Sequence, residues 1–116
     1  MYELGFENLI EIRVGSSYFS ADVILIGEYV PDLHGLVFQN KGCLNSLQTC
    51  AVLVQWEIEE EQPGFVVWLI AEDDFTVKRT ERFRGCCDSI RYIENDSKIE
   101  VISYFNGEFN RIILEI

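Results

Sequence analysis

The sequence predicts a mainly β domain, an antiparallel meander of about eight strands that forms either a sandwich or a small barrel. Three observations carry this prediction. Apolar and polar residues alternate with a period of two in several segments. Turn-forming residues recur every ~8–12 positions, and no long amphipathic helical pattern is present. The chain of 116 residues has the size of one domain, and no linker or repeat divides residues 1–116.

The first part of the chain carries three predicted strands. Residues 9–14 alternate apolar and charged side chains, and residues 18–30 are rich in the aromatic and β-branched side chains that favour strands. Pro31 ends the second strand, because proline cannot donate to a ladder. Residues 33–39 form a shorter apolar segment. We predict a third strand there, ended by a turn over Asn-Lys-Gly at residues 40–42.

The middle of the chain predicts a hairpin. Residues 43–49 leave two alternatives open, a short helix or an irregular crossover. The next segment places apolar residues on one face and polar residues on the other, which predicts a strand of fixed register. The apolar face holds Cys50, Val52, Val54, Trp56 and Ile58, and the polar face holds Gln55, Glu57 and Glu59. Residues 65–71 are apolar on both faces, as expected for a central strand covered on each side. The proline and glycine in the turn at 60–64 join the two strands.

The last part of the chain contains the most specific local signal. Residues 75–84 carry threonines and charges, which indicates an exposed edge strand, and residues 89–94 resume the alternating pattern. Asn106-Gly107 is the preferred pair for a two-residue type I′ turn. This turn predicts pairs that follow directly from its register: Phe105 with Glu108, Tyr104 with Phe109, Ser103 with Asn110, Ile102 with Arg111, Val101 with Ile112, and Ile99 with Leu114, the last two in the core.

Charge and composition restrict the class of partner. The formal net charge is −11, so we expect neither nucleic acid nor an anionic membrane as a partner, because phosphate binding relies on lysine and arginine. No apolar run reaches the ~20 residues of a membrane helix, and the first residues do not resemble a secretory signal. The four cysteines (Cys43, Cys50, Cys86 and Cys87) have no zinc spacing and are expected to be free thiols. We therefore predict a cytoplasmic protein without metal or cofactor.

Two charged patches are the candidate binding residues. The acidic ridge rises along a strand into its turn, and the basic island holds four of the nine basic residues. Complementary charge of this kind can select a protein partner. The alternatives are a solvated turn for the ridge and, for the island, charges that protect an edge strand or balance nearby acids. The ridge consists of Glu57, Glu59, Glu60 and Glu61, and the island of Lys78, Arg79, Arg82 and Arg84.

Two features could carry chemistry, although we assign no catalytic residue. Asp32 could orient His34 for acid-base work, but the two are equally explained as surface neighbours. Cys86-Cys87 follows two arginines that could lower a thiol pKa, whereas free cysteines are more often buried.

The sequence favours a non-enzymatic protein-protein interaction module. Aromatic residues make up 13% of the chain and include Trp56 and Trp68 on neighbouring predicted strands, which suggests a homodimer formed through a sheet face or edge. A closed barrel that binds a small apolar ligand is the alternative. An enzyme that uses His34 with a nearby carboxylate or thiol is the third possibility.

Overall fold

A computed structural model describes residues 1–11, 18–57 and 63–116. The described residues form ten strands in two antiparallel sheets. In chain order the strands are β1 (Glu3–Glu11), β2 (Phe19–Ile26), β3 (Phe38–Leu44), β4 (Cys50–Glu57), β5 (Gly64–Ala71), β6 (Thr76–Arg79), β7 (Phe83–Arg84), β8 (Cys86–Ile93), β9 (Lys98–Phe105) and β10 (Glu108–Glu115).

The topology is the predicted meander. The seven-stranded sheet runs in the order β1 to β6, with β7 also paired to β5, and the three-stranded sheet runs in the order β10, β9, β8. The described strands make two separate sheets instead of one closed barrel, so the sandwich alternative is confirmed. No helix in the described ranges is long and apolar enough to cross a membrane.

Apolar residues are buried on both faces of the seven-stranded sheet. The inter-sheet core contains Val52, Val54, Phe65, Val67, Cys87, Ile90, Ile99 and Val101. A second cluster on the opposite face contains Tyr2, Phe38, Ala51, Leu53, Val66, Trp68 and Ile70. The prediction that β5 is covered on both sides is confirmed. For β4 the predicted polar face is limited to Gln55 and Glu57, because Ala51 and Leu53 on the same face are buried.

Two predictions around β3 are wrong. Residues 33–37 form a loop whose Leu33 and Leu36 pack on the second cluster, and the predicted turn at 40–42 lies inside β3. Gly42 permits this, because β3 passes so close to β4 that a Cβ there would lie 2.6 Å from the Val52 carbonyl oxygen. Of the two alternatives for residues 43–49, the short helix is wrong: β3 continues to Leu44, and an irregular turn follows.

Several strand boundaries differ from the predicted ones. β1 begins at Glu3, earlier than predicted, and residues 12–14 of the predicted first strand lie outside the described ranges. β2 ends at Ile26 instead of residue 30. The predicted edge strand at 75–84 is two short strands, β6 and β7, and β8 begins at Cys86 instead of residue 89.

The hairpin of β9 and β10 has the predicted register throughout. Phe105 pairs with Glu108, and Ile99 pairs with Leu114. Asn106 and Gly107 have φ angles of 51° and 78°, as a type I′ turn requires. Ile112 and Leu114 pack on the inter-sheet core, which confirms the predicted core face.

A buried glutamine joins the two sheets. Gln39 of β3 is fully buried, and its amide pairs with the peptide of Cys87 in β8. Gln39 Nε2 donates to the Cys87 carbonyl oxygen at 2.6 Å, and the Cys87 N–H donates to Gln39 Oε1 at 3.0 Å. The contact lies beside a bulge in β8, between Cys87 and Ser89. The side chain therefore replaces a neighbouring strand at this point.

Candidate functional site

Glu57 of the acidic ridge and two arginines of the basic island lie on one face of the seven-stranded sheet. Glu57 of β4 lies opposite Gly64 of β5, which also lies opposite Arg84 of β7. Arg79 of β6 lies opposite Trp68 of β5. Directly opposite residues share a face of a sheet. Glu57, Arg79 and Arg84 therefore lie on the same face as Trp68, and we call this surface the charged end.

An aromatic ring holds Arg79 in place. The guanidinium carbon lies 5.2 Å from the centre of the Trp68 ring, within the range of a cation–π contact. Trp68 is only 6% exposed and donates its indole N–H to Gln55 Oε1 at 2.7 Å. Arg79 itself is exposed. The orientation of Arg79 thus depends on the Trp68 ring, which its hydrogen bond to Gln55 orients in turn.

An open depression of about 500 Å³ lies beside Arg79, lined by Gln55, Glu57, Val66, Arg79 and Thr80. Two hydrogen bonds to Val67 fix Thr80: the Thr80 N–H donates to the carbonyl oxygen at 2.9 Å, and Thr80 Oγ1 accepts from the N–H at 3.0 Å. Within the described part of the chain, neither Glu57 nor Arg79 forms an ion pair.

The basic island is not one surface. Lys78 lies opposite Leu69, which packs on the inter-sheet core, so Lys78 lies on the other face of the sheet from Arg79. The Arg82 guanidinium lies directly over Gly64, where a Cβ would overlap with it. Arg82 therefore covers the beginning of β5 at the charged end.

The acidic ridge is described only at its first residue. Glu57 is half-buried at the end of β4. Glu59, Glu60 and Glu61 lie outside the described residues. Glu57, whose side chain lines the depression beside Arg79, is therefore the part of the acidic ridge that the structure describes.

His34 lies in an exposed loop turn between β2 and β3. Asp32 Oδ1 accepts a hydrogen bond from the backbone N–H of His34 at 2.9 Å. The carboxylate thus orders the loop backbone. Across residues 1–11, 18–57 and 63–116, no group of three or more His, Cys, Asp or Glu side chains is arranged to hold a metal ion.

The four cysteines are free thiols, and burial makes Cys43 and Cys87 hard to ionise. Burial raises the pKa of the Cys87 thiol to about 12. Burial also raises the pKa of the Cys43 thiol to about 11, against a backbone hydrogen bond from Tyr92 that lowers it. The arginines that precede Cys87 in sequence therefore do not activate it, because desolvation dominates.

We expect Cys87 in the folded protein to resist a thiol reagent at pH 8. With a pKa of about 12, only about one Cys87 thiol in ten thousand is ionised at that pH, and the side chain is fully buried. Labelling with an aromatic disulfide, followed by peptide mass spectrometry, should find Cys87 modified only after denaturant is added. Labelling of Cys87 in the folded protein within minutes would contradict this expectation.

Three residues of the charged end were not predicted to belong to this surface: Gln55, Trp68 and Thr80, of which Trp68 was named only for a homodimer interface. The hairpin register holds a signal for the first two, because a polar residue on β4 opposite the apolar strand β5 needs a hydrogen-bond partner. Thr80 has no comparable signal, since it follows the end of β6 and its hydroxyl bonds to Val67 of β5.

No protein-family model matches this chain, and no curated protein or solved structure is significantly similar to it. Function must therefore be argued from the geometry of the charged end and of the sheet edges.

Proposed function

We propose that this chain is a non-enzymatic protein-binding module whose partner docks at the charged end. One observation carries the proposal: the exposed Arg79 is seated on the buried Trp68 ring and has no ion-pair partner within the described residues. Arginine and tryptophan dominate the energetics of protein interfaces. An arginine that is already oriented loses less conformational freedom when it binds.

The charges of this surface specify the partner's chemistry. Arg79 offers a guanidinium fork to a carboxylate, and Glu57 in the same depression offers a carboxylate to a lysine or arginine. A partner protein that carries a carboxylate and a lysine or arginine on one surface can pair with Arg79 and Glu57 at the same time. The net charge of −11 favours a basic protein and disfavours a nucleic acid or an anionic membrane. Free thiols fit a partner in the cytoplasm.

The proposal predicts that Arg79→Ala weakens partner binding by about thirtyfold, the loss typical of an interface hot spot. Arg79→Lys keeps the charge but loses the planar guanidinium that lies over Trp68, so it should retain only part of the affinity. Glu57→Gln should also weaken binding, because it removes the second charge of the depression. The measurement is capture of a partner from native lysate by the immobilised chain, followed by titration of the captured protein against each variant.

Lys78→Ala is the matched control. It removes the same charge from the same strand, but on the opposite face of the sheet. Binding unchanged in Lys78→Ala and lost in Arg79→Ala supports the charged end. Neutralising Glu59, Glu60 and Glu61 together measures how far the rest of the predicted acidic ridge contributes. Equal binding by Arg79→Ala, Glu57→Gln and the unaltered chain would refute the proposal.

A further inference from the structure

Both outer strands of the three-stranded sheet, β8 and β10, have an edge that pairs with no other described strand. The outer edge of β10 is the more regular one, because β10 pairs with β9 along its whole length without a bulge. The segment Glu108–Glu115 contains no proline, glycine or lysine. Natural proteins use proline, charged side chains (above all lysine) and bulges to keep an edge strand from pairing with another chain. In β10 the charges of Arg111 and Glu115 flank an uncharged Ile-Ile-Leu segment. The β10 edge is therefore open to strand addition.

The other sheet edges in the described part of the chain are interrupted. β1 has a bulge between Glu7 and Ile10, where Asn8 has a φ of 52°. The far edge of the seven-stranded sheet is divided into β6, with four residues, and β7, with two. On β8 the peptide of Cys87 is already paired with Gln39. Among the described edges, the β10 edge is thus the one most open to strand addition.

The hairpin turn determines which backbone groups of β10 point outward. A two-residue turn closes on a hydrogen-bonded pair, here Phe105 and Glu108. Hydrogen-bonded and non-hydrogen-bonded pairs then alternate along an antiparallel ladder. Ile112 and Leu114 accordingly bond to β9. The outward groups belong to residues 109, 111, 113 and 115.

We propose that two copies of this chain pair through β10 as antiparallel strands, with Ile113 of one copy opposite Ile113 of the other. Arg111 of each copy then lies opposite Glu115 of the second copy, and Ile112 lies opposite Leu114. The segment Arg-Ile-Ile-Leu-Glu is complementary to itself in this register. About six backbone hydrogen bonds form, and the two three-stranded sheets become one continuous sheet.

The neighbouring registers are less favourable. Pairing centred on Arg111 places this residue opposite its own copy, and like charges directly opposite each other are destabilising. Pairing centred on Ile112 places Arg111 opposite Ile113 and Phe109 opposite Glu115, so neither charge finds its opposite. Only the register centred on Ile113 matches both charges and both apolar residues.

The outer face of the sheet already holds Arg111 in position for this contact. Its Nε donates to Glu100 Oε2 at 2.7 Å, and Glu100 Oε1 also accepts from Arg91 Nε at 3.0 Å. The terminal nitrogen atoms of the Arg111 guanidinium remain for Glu115 of the second copy. The Glu115 side chain is 80% exposed, with Lys98 Nζ at 3.8 Å. Ile112 and Leu114 are only half-buried, so the same residues of the second copy would complete their burial.

The dimer is tested with charges placed on its symmetry axis. In sedimentation velocity, the unaltered chain should shift from monomer to dimer as its concentration rises towards millimolar. Ile113→Lys and Ile113→Asp should each raise the dimer dissociation constant by about tenfold or more, because each places like charges opposite one another. An equimolar mixture of the two variants should dimerise again, since lysine then faces aspartate. Dimer formation by the mixture, but by neither variant alone, is specific to a register in which residue 113 of one copy lies opposite residue 113 of the other.

Two further variants keep the test decisive. Ile93→Asp is the matched control for Ile113→Asp. Ile93 is also a half-buried isoleucine, but it lies on β8, at the far edge of the same sheet and opposite Lys98, so the added carboxylate faces a positive charge and the variant should dimerise normally. If the Ile113 variants do not fold by circular dichroism, Glu115→Arg at its exposed position places arginine opposite Arg111 and should abolish the dimer. A monomeric unaltered chain near millimolar concentration, a mixture that stays monomeric, or Glu115→Arg that dimerises normally overturns the proposal. The β10 edge and the charged end share no residue, so this result is independent of the partner-binding experiment.

Discussion

Gln39→Leu is expected to lower the free energy of unfolding by about 4 kcal/mol, because it leaves two buried backbone groups without partners. The Gln39 amide gives the N–H and the carbonyl oxygen of Cys87 their hydrogen bonds. Leucine has a similar volume but cannot replace either bond. A loss of this size is a large fraction of the stability of a small domain. Urea unfolding, followed by the fluorescence of the buried Trp56 and Trp68, measures it.

Two controls separate the hydrogen bonds from the general cost of changing a glutamine. Gln55→Leu removes a single hydrogen bond at a half-buried position, so we expect a loss of about 1 kcal/mol.

The second control is Gln39→Glu, whose side chain can donate to the Cys87 carbonyl oxygen only when its carboxyl is protonated. Burial raises the pKa of that carboxyl in the folded state above the unfolded value of about 4.3. The free energy of unfolding of the Gln39→Glu variant, relative to that of the unaltered chain, should therefore be greatest below about pH 4.3. It should fall as the pH rises through the folded-state pKa. A Gln39→Leu variant within 1 kcal/mol of the unaltered chain would show that the contact is dispensable.

The fold could be predicted best where one local signal determines the register. Asn106-Gly107 determined the pairs of β9 with β10, and every predicted pair is present. The prediction failed at residues 33–39, because apolar residues that cover a sheet as a loop have the same composition as a buried strand. It failed at residues 40–42 because Asn-Lys-Gly is typical of a turn, whereas Gly42 serves a close approach of β3 to β4.

The candidate site could be predicted only as a set of charges. Local composition identified Glu57 and Arg79, but the distribution of the island over two faces depends on how β6 pairs with β5. A single residue of register moves a side chain from one face to the other. The seat of Arg79 on Trp68 likewise depends on a contact across strands, which no local pattern encodes.

Gly85→Ala is expected to lower the free energy of unfolding by about 3–5 kcal/mol, as the sum of backbone strain and a backbone clash. Gly85 is the single residue between β7 and β8, where the chain passes from one sheet to the other. Its φ is 85°, a conformation that alanine adopts at a cost of ~1–2 kcal/mol. A Cβ at this position would also overlap with the carbonyl oxygen of Tyr104 in β9, which cannot move away without disturbing the three-stranded sheet.

Gly107→Ala isolates the strain from the clash. Gly107 has a nearly equal φ of 78°, but no heavy atom lies within 4 Å of the position that its Cβ would take. Its replacement should therefore cost only the conformational strain of ~1–2 kcal/mol. Urea unfolding of both variants, at a concentration too low for association through β10, gives the difference. We expect Gly85→Ala to lose about 2 kcal/mol more than Gly107→Ala, since only the former drives a side chain into the backbone of the neighbouring strand. Equal losses would mean that β9 yields to the added methyl group and that the passage between the sheets tolerates a side chain.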